Sequence, residues 1–111
     1  MKDLTDHSVI GYDQANAFIR SVAITGFERS DFAFSSDSDL AQLALIRAGA
    51  GIGGCQVQLA KRDPRLRRVL PQAFALKLDT WVTMHEDLRN SPRCRVTFDA
   101  LVQGLQRYVQ D

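Results

Sequence analysis

The order of apolar patterns along the chain is the feature that most limits its fold. Apolar, β-branched or alternating residues predict short strands at residues 7–12, 31–35, 66–70 and 76–84. Residues 51–55 are too rich in glycine for a helix and suit a short, fully buried strand. Apolar residues at helical spacing predict helices at residues 13–25, 38–49, 56–62 and 92–109. Strands and helices that alternate in this way are typical of an α/β fold, in which helices flank a mostly parallel sheet. Ligands of such folds bind beyond the carboxyl ends of the strands.

The charge of the chain argues against direct binding to nucleic acid. The 14 lysine and arginine residues are offset by 13 aspartate and glutamate residues, giving a net charge of +1. Binding to duplex DNA instead requires a clustered cationic face. The nearest candidate is the basic run at residues 61–68, which Asp63 and Pro64 interrupt. This pattern favours a solvated turn over a phosphate-binding patch.

The two cysteines, Cys55 and Cys94, are too few for a disulfide framework or a zinc site. We therefore expect buried free thiols and a reducing, cytoplasmic location. No apolar run approaches the length of a membrane span, and the first residues lack the hydrophobic region of a signal peptide. We expect no contact with a membrane.

The sequence offers no arrangement that points to catalysis or to a metal. His7 and His85 do not have the spacing of metal ligands. Asp79, Glu86 and Asp87 are acidic neighbours on a predicted strand and turn, without an oriented base or nucleophile beside them. We expect no catalytic residue, no metal and no cofactor.

Small hydroxyl and acidic residues precede the predicted helix at residues 38–49. Ser36, Asp37 and Ser38 all suit an N-cap, which any helix needs. The backbone N–H groups and the positive end of the helix dipole also favour contact with a ligand. Because Asp37 would repel an anion, the sequence is also compatible with a ligand that is an amine or is uncharged.

The glycine-rich stretch that follows has two interpretations. Gly51, Gly53 and Gly54 would let a ligand approach the backbone. No Lys-Ser or Lys-Thr follows, so this is not a phosphate loop. The alternative is tight packing of a helix on a strand, which we favour for Gly51. Tyr12 and Asp13 end the first strand, where they would line a cleft or, as we favour, form a turn and an N-cap.

Several motifs, in a fixed order and covering nearly the whole chain, resemble the effector-binding region of LysR-type transcriptional regulators. The motifs are H-x-V-I-G-Y-D at residues 7–13, A-G-A-G-I at 48–52, V-L-P at 69–71, W-V-T-M at 81–84, H-E-D-L-R at 85–89 and F-D-A-L at 98–101. The resemblance implies a periplasmic-binding-protein-like region of a bacterial regulator, in which two α/β subdomains close on a small-molecule effector.

On this resemblance, residues 1–111 are a fragment of the effector-binding domain. Residues 7–75 would form the second subdomain, and the strand and helix at residues 76–110 would return to a missing first subdomain. The winged helix-turn-helix of the family would also be missing, so DNA would be contacted only through that domain. The effector-binding residues that we expect are Tyr12, Ser36, Asp37, Ser38, Gly53 and Gly54. Ser35 stands where relatives often carry a larger, basic residue, which leaves the charge of the effector open.

The terminal helix suggests a second function. Its apolar stripe consists of Phe98, Leu101, Val102, Leu105, Tyr108 and Val109. In the family this helix packs on the first subdomain, so here we expect a homo-oligomer that buries the stripe, with or without exchange of residues 81–111. An oligomerisation or interaction module without a ligand is therefore the alternative to an effector-binding module. An enzyme is the least favoured reading.

Overall fold

The computed structural model describes residues 2–14 and 27–110. These residues fall into two compact units, Met1–Leu76 and Lys77–Asp111. The helix that the sequence predicts at residues 13–25 lies almost wholly outside the described residues, as does Gly26, the glycine that the sequence predicts to end this helix.

A small parallel sheet forms the centre of the first unit. Strand β1 (Ile10–Gly11) pairs in parallel with strand β2 (Phe34–Ser35). On the other side of β1, Val9 forms a parallel bridge with Ile52. The N–H of Ile10 donates to the Ile52 carbonyl at 2.8 Å, and the N–H of Ala33 donates to the Val9 carbonyl at 2.9 Å. The parallel pairing confirms an α/β arrangement, although each strand is shorter than predicted.

The predicted helix at residues 38–49 is present as α1 (Asp39–Arg47). Ser38 caps it, and Gly49 follows its end with a φ of +74°, the left-handed conformation in which glycine carries no steric penalty. The apolar residues Leu40, Leu43, Ala44 and Ile46 predict that this helix is largely buried, and that prediction is wrong. Gln42 is its only buried residue, and the Leu40 side chain is 79% exposed.

The remaining helices lie close to their predicted positions. They are α2 (Val57–Lys61) and α3 (Pro92–Gln110). Short 3-10 helices occupy Lys2–Asp6, Arg29–Asp31 and Glu86–Leu88. In the described part of the chain, no helix is both long and apolar enough to cross a membrane.

Two predicted strands are wrong, because an extended or apolar run becomes a strand only where another strand pairs with it. At residues 66–70 the chain forms no strand. Leu70 has a φ of +50°, and its carbonyl accepts a 2.9 Å hydrogen bond from the N–H of Phe74. At residues 76–84 the side chains alternate, but this segment belongs to no β-ladder of the described residues.

Among residues 2–14 and 27–110, the buried apolar residues are few and lie in the first unit. Leu4, Val9 and Ile10 are each 5% exposed or less. Gly51 brings two backbone segments into close contact beside them, since a Cβ atom built on this glycine would meet the carbonyl oxygen of Ser8. The bridge between Val9 and Ile52 therefore lies beside the buried residues that the structure describes. The glycine-rich strand predicted at residues 51–55 would suit full burial, but it is reduced to this single bridge, and Ile52 is only half-buried.

Candidate functional site

The ends of the three parallel segments define one edge of the first unit. Parallel segments have their carboxyl ends on the same side of a sheet, which is where α/β folds bind ligands. Tyr12 follows β1, Ser36 follows β2, and Gly53 follows the bridge at Ile52. The topology thus brings to this edge all the residues that the sequence suggests for a ligand: Tyr12, Ser36, Asp37, Ser38, Gly53 and Gly54.

The two serines at the start of α1 act as local caps. The Ser38 hydroxyl accepts a hydrogen bond from the N–H of Ala41 at 3.3 Å. The Ser36 hydroxyl accepts one from the N–H of Ser38 at 3.2 Å, and the Ser36 carbonyl accepts one from the side-chain amide of Gln42 at 2.6 Å. Gln42 is 4% exposed, so this last bond satisfies a buried amide. The capping role expected for Ser38 is confirmed.

Asp37 connects the end of β1 to the start of α1. Its Oδ1 atom accepts hydrogen bonds from the backbone N–H groups of Asp13 and Gln14, both at 2.9 Å. A carboxylate that receives two backbone N–H groups holds them more firmly than a neutral acceptor does. These two N–H groups are therefore already occupied by a side chain of the protein.

A second connection runs from Tyr12 to α1. The Tyr12 hydroxyl donates to Oδ1 of Asp39 at 3.0 Å. Partial burial, then the hydrogen bond to Asp39 and the negative charges of Asp39 and Asp37, raise the pKa of this hydroxyl above its ordinary value. Tyr12 therefore stays protonated at neutral pH and acts as a hydrogen-bond donor.

The ionised side chains at this edge are mostly negative. Asp13, Asp37 and Asp39 each contribute a carboxylate, and Arg29 contributes a guanidinium. Nε of Arg29 donates to Oδ1 of Asp13 at 2.5 Å, and Nη2 contacts the same oxygen. One carboxylate is thus neutralised, while Asp37 and Asp39 have no basic partner among the hydrogen bonds and ion pairs described here.

The three glycines have different surroundings. A Cβ atom built on Gly53 would lie 3.0 Å from Cδ1 of Ile46 and 3.3 Å from Cβ of Ile10, which indicates close packing of α1 on β1. The close approach of Gly51 to Ser8 confirms the packing role expected for Gly51. Nothing lies within 4 Å of the corresponding position on Gly54, so its backbone is open to another molecule.

Ser35, the last residue of β2, carries a buried hydroxyl oxygen that lacks a hydrogen-bond partner within the described residues. An unsatisfied buried hydroxyl costs about 1–3 kcal/mol. We expect Ser35→Ala to leave the free energy of unfolding unchanged or to raise it by about 1 kcal/mol, measured by urea denaturation. The exposed Ser30→Ala serves as a control and should change it by less than about 0.5 kcal/mol. A clear loss of stability in Ser35→Ala would show that the hydroxyl is satisfied.

Arg29 and the pairing partners at this edge were not found by sequence reasoning. Arg29 lies 16 residues from Asp13, and Tyr12 lies 27 residues from Asp39. Neither pair has a local sequence signal, because each forms only when β1 and β2 come side by side. From the sequence alone, Asp39 indicates only a favourable negative charge in the first turn of the helix, not an acceptor for Tyr12.

Cys55 and His85 also carry groups with the chemistry of nucleophiles, bases or metal ligands. Burial raises the pKa of the Cys55 thiol above its ordinary value, so this cysteine is protonated at neutral pH. The Nδ1 atom of His85 accepts a hydrogen bond from the N–H of Asp87 at 3.2 Å, on an exposed turn. No group of three or more potential metal ligands occurs among residues 2–14 and 27–110.

A parallel α/β unit with polar residues at the carboxyl edge of its strands defines a class of ligand-binding domains. Within that class, residues 1–106 match the family model described as the LysR substrate binding domain. The match covers most of the chain, and the chain therefore belongs to this family, as its motifs suggested. Neither the curated proteins nor the solved structures that were compared gave a match. Domains of this family serve effector binding in LysR-type transcriptional regulators.

Proposed function

We propose that the chain binds a small-molecule effector for a bacterial LysR-type regulator and works in the cytoplasm. The regulator would reach DNA through a separate helix-turn-helix domain, and effector binding here would alter its activity. The observation that carries this proposal is the common edge at which β1, β2 and the Ile52 bridge end, in a chain that matches the family over residues 1–106.

The proposed site consists of Tyr12, Ser36, Asp37, Ser38, Gly53 and Gly54. Tyr12 supplies a hydroxyl, Asp37 and Asp39 supply negative charge, and Gly54 leaves room for close approach. An anionic effector would meet two carboxylates without a basic partner. It would also find that the N–H groups of Asp13 and Gln14 are already bonded to Asp37. An effector with an amino group, or an uncharged one with hydroxyls, suits this edge better.

Thermal denaturation with three sets of small probes tests this proposal. The sets are amines, uncharged polyols and carboxylates of similar size, each at millimolar concentration. A ligand at one hundred times its dissociation constant adds about 2.7 kcal/mol to the free energy of unfolding, which raises the melting temperature by several degrees. We expect at least one amine or polyol to do so, and carboxylates to have little effect.

Two variants make this test specific to the site. Asp37→Asn removes the charge but keeps an oxygen that accepts hydrogen bonds from the N–H groups of Asp13 and Gln14. About ten times more amine should then be needed for the same rise in melting temperature. Asp6→Asn makes the same change in charge before the amino end of β1 and should leave the stabilisation by the amine unaltered. Stabilisation by carboxylates alone would overturn the proposed charge class, and equal loss in both variants would overturn the proposed site.

The alternative function, an oligomerisation or interaction module without a ligand, is favoured by a separate observation. No residue is buried among the described residues of the second unit, although many of its residues are apolar. An absence of stabilisation by every probe, together with a stable oligomer, would favour this alternative.

A further inference from the structure

The basic run at residues 61–68 has a different surface from the one that its sequence suggests. Five of its eight residues are lysine or arginine, and its only acidic residue is Asp63. The rest of the chain holds more acidic than basic residues, so positive charge is concentrated in this run. In the sequence, Asp63 and Pro64 interrupt the run, and this interruption favours a solvated turn over a phosphate-binding patch.

The structure withdraws Asp63 from the surface of the run. Its carboxylate is 8% exposed and accepts hydrogen bonds from Nε of Arg47 at 3.1 Å and from Nη2 of Arg65 at 2.8 Å. One negative charge is thus shared by two guanidinium groups, so this cluster keeps a net positive charge. The side chain of Arg65 stays 65% exposed despite the pairing. Asp63 therefore interrupts the sequence of basic residues without interrupting the positive charge of the surface.

Arg67 and Arg68 add two further charges to this stretch. In a strand over residues 66–70, these two neighbours would point to opposite faces of the sheet. The chain forms no strand there, and both residues are exposed. Nη2 of Arg68 donates to the carbonyl of Pro71, a neutral acceptor, at 3.3 Å. Within residues 2–14 and 27–110, no carboxylate forms an ion pair with either arginine. Both charges are therefore available to another molecule.

The exposed basic residues of this run, here called the basic patch, lie away from the candidate effector site. Helix α1 has nine residues and is about 13 Å long. Its first residue, Asp39, accepts from Tyr12 at the effector edge, and its last residue, Arg47, bonds to Asp63. A polyanion can thus occupy the patch without meeting the carboxylates of the effector edge. The patch consists of Lys61, Arg62, Arg65, Arg67 and Arg68.

We propose that the basic patch contacts the phosphates of DNA without regard to base sequence. Arg65, Arg67 and Arg68 lie within four consecutive positions, whose Cα atoms span at most about 11 Å. Duplex DNA carries about one negative charge per 1.7 Å of its axis, so several phosphates lie within that span. Arginine suits this contact, because its planar guanidinium group can donate two parallel hydrogen bonds to one phosphate.

We choose DNA as the polyanion on the basis of the proposed function, because regulators of this family bind DNA through their N-terminal domain. Once that domain is bound, a second contact on the same DNA forms at an effective concentration in the millimolar range. Weak binding by the patch then adds to the affinity of the whole regulator, while base contacts elsewhere read the sequence. The expectation that DNA is contacted only through the separate domain is thereby replaced.

Fluorescence anisotropy of two labelled duplexes of unrelated sequence, each of about 25 base pairs, tests the proposal when they are titrated with the full chain. We expect both duplexes to bind with similar affinity, with a dissociation constant of about 100 μM or below in about 20 mM salt. The logarithm of the association constant should fall with the logarithm of the salt concentration at a slope of about −3, as when three or four phosphates are neutralised.

Two double variants of equal charge locate the contact. Arg67→Gln with Arg68→Gln should weaken binding at least about tenfold and reduce the steepness of the salt dependence by about 2. Lysine at both positions should restore the salt dependence, because lysine keeps the positive charge. The matched control is Arg93→Gln with Arg107→Gln, which removes the same charge from exposed positions of α3 and should leave the salt dependence unchanged.

Three results would overturn the proposal. They are no binding to either duplex up to about 300 μM protein at low salt, equal weakening by the two double variants, and equal or tighter binding of a polyglutamate peptide. The last result would assign the patch to an acidic protein surface. The thermal denaturation experiments with small probes contain no DNA and report on the other end of α1. Loss of DNA binding would therefore leave the effector proposal standing, and a lack of stabilisation by every probe would not alter the binding of DNA by this chain.

Discussion

Replacing Gly51 with alanine is expected to lower the free energy of unfolding of the first unit by about 3 kcal/mol. The new Cβ atom would collide with the carbonyl oxygen of Ser8. That oxygen accepts a 2.8 Å hydrogen bond from the N–H of Ile52, beside the bridge between Val9 and Ile52. The oxygen belongs to the backbone, so relief of the collision must separate the two segments. Urea denaturation followed by circular dichroism measures this loss.

Gly54→Ala and Gly104→Ala are controls, because they make the same substitution where a Cβ atom meets no neighbour. Nothing lies within 4 Å of a Cβ atom on either residue. Gly54→Ala should change the free energy of unfolding by less than about 0.5 kcal/mol. Gly104→Ala lies inside α3 and should stabilise that helix by about 0.5–1 kcal/mol, because alanine favours the helix more than glycine does. If Gly51→Ala is as mild as Gly54→Ala, the close contact with Ser8 is not part of the folded protein.

The sequence predicted the helices well because the signals for their ends are local. Ser38 caps α1 through the N–H of Ala41, only three residues away. Gly49 ends it because glycine adopts a positive φ without strain. Pro92 begins α3 without the loss of a backbone hydrogen bond, since its position needs no N–H donor. Each of these choices is decided within one helical turn.

The strands were predicted less well, because a strand depends on a partner that is distant in sequence. Residues 76–84 alternate as a strand should, yet they pair with no described strand. Ile52 pairs with Val9 although it lies in a glycine-rich run that local propensity disfavours. The candidate site shows the same difference between contacts that are local in sequence and contacts that are not. The capping by Ser38 was predictable, whereas the contacts of Arg29 with Asp13 and of Tyr12 with Asp39 depend on the pairing of β1 with β2.

The Asp63 carboxylate joins Arg47, the last residue of α1, to Arg65 in the turn after α2. Its replacement is the second change for which we expect a large effect on stability. The carboxylate is 8% exposed and accepts from Nε of Arg47 at 3.1 Å and from Nε of Arg65 at 2.9 Å. It also accepts from the backbone N–H of Arg65 at 3.1 Å. Of the basic run at residues 61–68, Arg65 is thus held by this carboxylate, together with Arg47 from α1. Asp63→Asn should lower the melting temperature by roughly 5 °C or more at pH 7.

The matched control for this change is Asp99→Asn. Asp99 pairs with Arg95 at 3.7 Å on the exposed surface of α3, and exposed pairs of this kind contribute little to stability. Its melting temperature should therefore stay within a degree or so of the wild-type value. If Asp63→Asn is no more harmful than Asp99→Asn, the contacts to Arg47 and Arg65 do not stabilise the fold.

Acid should reduce the difference in melting temperature between the wild-type protein and Asp63→Asn. Hydrogen bonds from Arg65, with a smaller one from Arg47, hold the pKa of the Asp63 carboxyl well below its usual range, although burial acts in the opposite direction. The unfolded chain has the ordinary pKa of about 3.9, so the folded state binds fewer protons than the unfolded state as the pH falls through this value. The stabilisation by Asp63 is complete above about pH 5 and declines below it. Melting temperatures measured from pH 7 to pH 3 should draw closer for the two proteins, because the wild-type protein begins to lose in acid what the asparagine variant lacks at every pH; the loss is complete only below the lowered pKa of the folded state. A difference that stays constant over this range would show that Asp63 stabilises the turn by shape alone, without its charge.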